Sequence, residues 1–176
     1  MKVIKILIIV LAFNYAANSQ NQLSIVADNN EIQQGDYPGL LVKGVAFNQI
    51  VQTNAQESSL ETLMNESLTV SQSDLGYEIK SLKNEFYTFN FSDEDEDGSY
   101  DLESFELKRS GLVFKSTTFN IGDSITDPKF QNFIDTTDNE GGKLIILKDR
   151  EVGASIIVKF NTLNNKIMSI KYSSNN

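Results

Sequence analysis

The sequence predicts an α+β fold: an antiparallel sheet with a few short helices, arranged as two tandem related units. Three observations predict it. Strand-length segments with period-two alternation dominate the second half of the chain. Short stretches with helical spacing lie between them. The order of elements recurs, with a strand ending in Leu-Lys, a charged turn and a long hairpin found once before residue 110 and once after it.

In chain order, Lys2 and Lys5 precede an apolar run from Ile6 to Phe13, and Ala16, Ala17, Asn18 and Ser19 follow. A charged start, a short apolar stretch and small residues before a cut read as a secretory signal over residues 1–19, with the mature chain beginning at Gln20. The run is too short to span a bilayer, which takes about 20 residues. Residues 20–110 then form the first α+β unit and 111–176 the second.

"FNQIVQ" at 47–52 has the pattern of a short helix. Ser58 and Glu61 have capping-box spacing, and Leu60, Leu63, Met64 and Leu68 make an apolar stripe behind them. Tyr87, Phe89 and Phe91 alternate with Thr88, Asn90 and Ser92, giving a strand with one apolar face. Phe105 and Leu107 alternate with Glu106 and Lys108 in the next strand. "TTFNI" follows, with Phe119 and Ile121. "DPKFQNFID" reads as a helix capped by Asp127, begun by Pro128, and placing Phe130, Phe133 and Ile134 on one face until Gly141 and Gly142 stop it. "KLIIL" at 143–147 is a buried-strand run. Ile156, Val158 and Phe160 share a face of the next strand, and Met168, Ile170 and Tyr172 a face of the last. Ser104 aligns with Ser169 at an offset of 65 residues, and Gly44 with Gly122 at 78.

Gly44-Val45, Gly122-Asp123-Ser124 and the order of elements after each resemble the β-lactamase-inhibitor proteins and the related small outer-membrane-assembly lipoproteins. The resemblance covers most of residues 40–174 and implies helix-loop-helix elements packed on an antiparallel sheet, in tandem. The chain departs from the lipoproteins in having no cysteine to carry a lipid. The resemblance implies an architecture and assigns no binding residues.

Composition narrows the chemistry. The net charge is −9, and loss of Lys2 and Lys5 makes the remainder more acidic, which disfavours nucleic acid and anionic membranes. With no histidine and no cysteine the chain has no Ser-His-Asp triad, no thiol nucleophile, no histidine-ligated zinc and no disulfide. A carboxylate pair acting on glycans is the remaining catalytic option, and no pair stands out. An exported protein without disulfides fits a bacterial periplasmic or secreted setting. The expected function is that of a non-catalytic protein-binding or inhibitor-like module acting on another exported or envelope protein. The alternative is a calcium-stabilised surface or matrix component.

"SDEDEDGSYD" at 92–101 is the one pointed motif. Asp93, Asp95, Asp97, Ser99 and Asp101 stand at positions 1, 3, 5, 7 and 9 of a calcium loop, with Gly98 at 6. Position 12 is Ser104 rather than a bidentate Glu, and strands rather than helices flank the loop, so an EF-hand is not expected. Two readings stay open: a solvated hairpin tip, or a weak non-EF calcium loop with those five residues as ligands. No other cofactor is expected. Tyr87, Phe89 and Phe91 serve either as core or as an aromatic platform for a ligand, and Lys108-Arg109 and Lys148-Asp149-Arg150 read as solvated strand ends.

Overall fold

A computed structural model describes residues 29–74 and 77–174; the expected signal segment and the expected cut before Gln20 lie outside the described residues. The fold is α+β. One nine-stranded sheet has the order β1-β11-β12-β13-β7-β6-β5-β4, with β10 also paired to β11. Its strands are β1 (Glu31–Ile32), β4 (Thr69–Asp74), β5 (Glu78–Lys83), β6 (Tyr87–Asp93), β7 (Asp101–Leu107), β10 (Asp135–Thr137), β11 (Lys143–Asp149), β12 (Ser155–Phe160) and β13 (Ile167–Ser173). All pair antiparallel except β1 with β11. A second, four-stranded sheet has the order β3-β2-β8-β9, from β2 (Leu41–Val42), β3 (Val45–Ala46), β8 (Gly111–Phe114) and β9 (Thr117–Asn120). The helical elements lying wholly among the described residues are α1 (Phe47–Val51), α2 (Glu57–Met64) and two 3-10 turns at Gln34–Gly39 and Pro128–Phe130.

The element order is the same on both sides of Ser110. A short hairpin, a helical segment and four strands of the large sheet occur as β2-β3, α1-α2 and β4 to β7, then as β8-β9, a 3-10 turn and β10 to β13. The last strands, β7 and β13, pair antiparallel at the centre of the sheet, with Phe105 opposite Tyr172 and Leu107 opposite Ile170. A bulge falls at the same point of each meander. Asn90 opposes Ser104 and Phe91 opposes Leu102, leaving Glu103 extra; Lys159 opposes Ser169 and Phe160 opposes Ile167, leaving Met168 extra. The bulges follow the Ser104–Ser169 alignment. The glycine alignment does not transfer in the same way. Gly44 lies in the β2–β3 turn, whose topological counterpart is Lys115-Ser116, while Gly122 follows β9. Lys43-Gly44 and Lys115-Ser116 both have two successive positive φ angles, the twist that suits a two-residue hairpin.

One face of the large sheet is packed. Tyr87, Phe89, Phe91, Leu102, Phe105 and Leu107 from one meander meet Ile145, Leu147, Ile156, Val158, Phe160, Ile170 and Tyr172 from the other in one core. Burial of Tyr87, Phe89 and Phe91 settles them as core and removes the aromatic platform. Phe47 of α1 caps the centre, with its ring 5.1 Å from Tyr172 and 6.5 Å from Phe105. Phe119, Phe130, Phe133 and Phe160 form a second aromatic group under the later half, with Phe119 stacked on Phe130 at 5.0 Å.

Four local expectations change. Ser58 lies inside α2 rather than at its cap; Gln56 precedes the helix, and the Glu61 carboxylate instead accepts the Leu68 amide at 2.7 Å. That bond ties down the chain after α2, so Leu68 is buried although the helix stops at Asn65 in a left-handed turn (φ 50°). "DPKFQNFID" forms only the 3-10 turn, with Asp127 Oδ1 accepting the Lys129 amide at 3.0 Å. Asp135–Thr137 joins the ladder of β11, so the segment is too short to sustain an α-helix, and Ile134 is 51 % exposed. Gly141 and Gly142 serve the β10–β11 turn, where Asp138 Oδ1 accepts the Gly142 amide at 2.7 Å. Met168 is exposed because it is the extra residue of its bulge, and Ile167 takes the core position.

Candidate metal loop and open sheet face

The acidic hairpin is built around Asp93. As the last residue of β6 it is buried, and its two carboxylate oxygens accept the amides of Asp97 at 3.1 Å and Gly98 at 3.0 Å. These bonds curl the loop back on itself. Gly98 sits at φ +84°, a left-handed conformation that glycine adopts without steric cost. Asp97 Oδ1 accepts the Ser99 amide at 2.7 Å. One carboxylate oxygen from each of Asp93, Asp95 and Asp97 then lies within 4.8 Å of the others. Asp101 stands outside that group, on β7 opposite Ser92, and Ser99 is exposed beside it. Glu94 to Ser99 face solvent, whereas Asp93 does not.

The loop is not a free tip. Asn54, in the α1–α2 turn, accepts the Tyr100 amide on Oδ1 at 2.5 Å and donates from Nδ2 to the Gly98 carbonyl at 3.4 Å. Tyr100 is buried and lies under Lys80, whose Nζ is 3.8 Å from the ring centre. Asn54 and Ala55 both have positive φ, which turns the chain so that the Asn54 amide can reach the loop. Sequence reasoning missed Asn54 and Lys80. The available signal was Tyr100, a lone aromatic in a charged stretch, which marks the point where the loop is anchored. Chemically, three close carboxylates with only loop amides for partners repel one another and suit one hard, oxygen-preferring cation.

The second feature is the other face of the large sheet. The pairing register turns Thr88, Asn90, Ser104, Glu106, Lys171, Ser173 and Ile157 away from the core, along with Ile79, Ser81, Leu144 and Ile146 nearer the edges. A shallow depression of ≈ 280 Å³ at its centre is lined by Thr88, Asn90, Ser104, Glu106, Ile157 and Lys171 among others. Asn90 Nδ2 donates to Ser104 Oγ at 2.8 Å, and Lys171 pairs with Glu106 at 3.4 Å, so the floor is ordered and polar. The charges that the strand ladder turns outward are Lys83, Lys148, Lys159 and Lys171 against Glu31, Asp101 and Glu106, and the residues ion-paired with them, Lys108 and Arg150 against Asp138 and Glu140, keep the balance. That near-neutral balance contrasts with the net −9 of the chain.

Among the described residues no helix is long and apolar enough to cross a membrane. No protein-family model, curated protein or solved structure matches this chain.

Proposed function

We propose that the protein is an exported, non-catalytic binding module that engages another exported or envelope protein through the open face of its large sheet. The observation that carries this reading is the asymmetry of the sheet. One face is buried under α1, α2 and the small sheet; the other presents an ordered polar centre with half-buried Ile157, Ile146 and Leu144 beside it. Rigid strands hold these side chains, so little is lost in ordering them on binding. The near-neutral balance of the face selects a partner surface that is polar or acidic with a few apolar projections, which the rest of this acidic molecule would repel. The recurrence of hairpin, helical segment and meander supports the resemblance to tandem β-lactamase-inhibitor-like proteins, as an architecture. Export rests on the signal-like residues 1–19.

The test compares capture from the native envelope by the wild-type protein, an outer-face variant (Ile157→Asp with Lys171→Glu) and a control on the exposed side of α2 (Thr62→Asp). The expected result is one protein retained by wild type and control and lost with the outer-face variant. Retention by all three would refute the reading.

A second reading, a calcium-stabilised surface component, is favoured by the grouping of Asp93, Asp95 and Asp97 within 4.8 Å. Asp93 is pre-positioned by its two amide bonds, and the Ser99 carbonyl and Asp101 stand at the next two ligand positions of the loop spacing. Without a bidentate Glu the affinity is weak, with Kd on the order of 10⁻⁴ to 10⁻³ M. Calcium at about ten times Kd stabilises the fold by roughly 1.4 kcal/mol. That corresponds to a rise of about 3–6 °C in Tm for a domain of this size. Melts in EDTA and in calcium check it: equal Tm values leave the solvated-turn reading, and a shift abolished by Asp95→Ala supports the site.

A further inference from the structure

We propose that β4 is a self-association edge, through which two copies of the chain pair antiparallel about a two-fold axis centred on Ser71. Sheet edges carry unpaired amides and carbonyls, and proteins blunt them with short strands, charges, prolines or bulges. The opposite edge of this sheet is blunted. There β11 is covered by the two-residue β1 and the three-residue β10, with Asp135 tied to Lys143 at 2.5 Å. Apart from Asp74 at its last position, β4 has none of these devices. It is six residues long, the longest edge strand among the described residues, and it pairs with β5 over its whole length without a bulge. From Thr69 to Ser73 it carries neither proline nor charge, and Thr69, Ser71, Gln72 and Ser73 are exposed.

The sequence of the edge selects a second copy as the occupant. Opposed residues in an antiparallel pair share a face, so the two-fold registers with the greatest overlap of an identical strand on β4 set Ser71 opposite Ser71 or Gln72 opposite Gln72. The second register sets Val70 opposite Asp74. The first sets Thr69 opposite Ser73 and Val70 opposite Gln72, joining hydroxyls on one face and keeping the Asp74 positions at opposite ends. Hydroxyl pairs of this kind are favourable across strands, while like charges are not. Thr69–Ser73 is therefore a stretch on which two copies of a net −9 chain can approach without charge facing charge. The resulting contact is isologous, as a two-fold dimer requires. It is also small, so the association is weak and strengthens with added salt, which screens the repulsion between the two acidic bodies.

Sedimentation equilibrium of the mature chain from about 10 µM to about 1 mM, at low and high salt, tests this, because a contact this small has a Kd far above the nanomolar range. The expected result is a monomer–dimer equilibrium that shifts to dimer with salt, with the alternate amides of residues 69–73 that are turned away from β5 gaining exchange protection at high concentration. Ser71→Lys and Ser71→Glu, each alone, are expected to be monomeric, and their equimolar mixture to dimerise, since the two side chains then oppose each other with opposite charge. A wild-type monomer at every concentration overturns the proposal. So does a dimer that survives Ser71→Lys, which places the contact elsewhere, or a mixture that fails to restore association, which removes the two-fold register. None of these outcomes bears on the open face, which the capture experiment tests separately.

Discussion

Replacing Phe105 by Ala is expected to lower the unfolding free energy by about 3–5 kcal/mol, the usual cost of truncating a fully packed aromatic. Phe105 stands where the two meanders join. It stacks on Tyr172 across the β7–β13 pair at 5.4 Å and 19°, lies 6.1 Å from Phe89 on its own meander, and sits under Phe47 of α1. Truncation therefore opens a cavity bordered by both halves of the chain, and neither half can close it without moving the other. A loss of this size is a large share of the roughly 5–15 kcal/mol that holds a typical domain. Urea unfolding measures it, with Thr88→Ala on the outer face of the neighbouring strand as the reference, expected within about 0.5 kcal/mol of wild type. If Phe105→Ala also costs under about 1 kcal/mol, the junction of the two halves is not the packed centre described above.

The second large effect is at Asp149. This carboxylate ends β11 on the core side and is only 4 % exposed. Burial acts to raise its pKa, but the Tyr37 hydroxyl at 2.8 Å and the Val152 and Glu151 amides at 3.2 and 2.9 Å together outweigh burial and hold it below the usual carboxylate value. The same contact pushes Tyr37 upward, with burial as the larger cause, and burial together with Asp149 and Asp101 lifts Tyr172 to about 12. Asp149→Ala leaves a hydroxyl and two amides without their acceptor, at an expected cost of about 2–3 kcal/mol near neutral pH. The pH dependence follows from the sign of the shift. A carboxylate with a depressed folded value stabilises the fold above its unfolded pKa of about 3.9, and that contribution is lost as pH falls through the folded value. Stability of the wild type is therefore expected to fall more steeply on acidification below about pH 4 than that of Asp149→Asn. Parallel acid-unfolding curves would show that Asp149 is not the linked group.

Much of this fold was legible because alternation in a half-buried strand is a direct consequence of the pleat. Tyr87, Phe89 and Phe91, and likewise Ile156, Val158 and Phe160, face the core as their spacing requires. The D-x-D-x-D spacing similarly brought Asp93, Asp95 and Asp97 together. What was not legible depends on contacts distant in the chain. Asn54 reaches the loop across 46 residues, and no local pattern in "TNAQ" announces it. Asp149 lies between Lys148 and Arg150, both exposed, so the triplet reads as a solvated strand end, yet its middle residue is buried because Tyr37 meets it from 112 residues away. β4 has almost no apolar residues to alternate and becomes a strand by pairing with β5. Met168 broke the expected alternation through its bulge, which only the pairing of β12 with β13 reveals.

Site-specific photo-cross-linking in the native envelope tests the central claim most directly. A photoreactive residue is placed at Ile157 or at Lys171, both on the open face, and at Thr62 on the exposed side of α2 as the comparison. The account predicts that both outer-face positions form an adduct with the same envelope protein, and that Thr62 forms none with it. Adducts from Thr62 with that protein while Ile157 and Lys171 stay unlinked would contradict it, because the binding surface would then lie on the helical side and not on the open sheet.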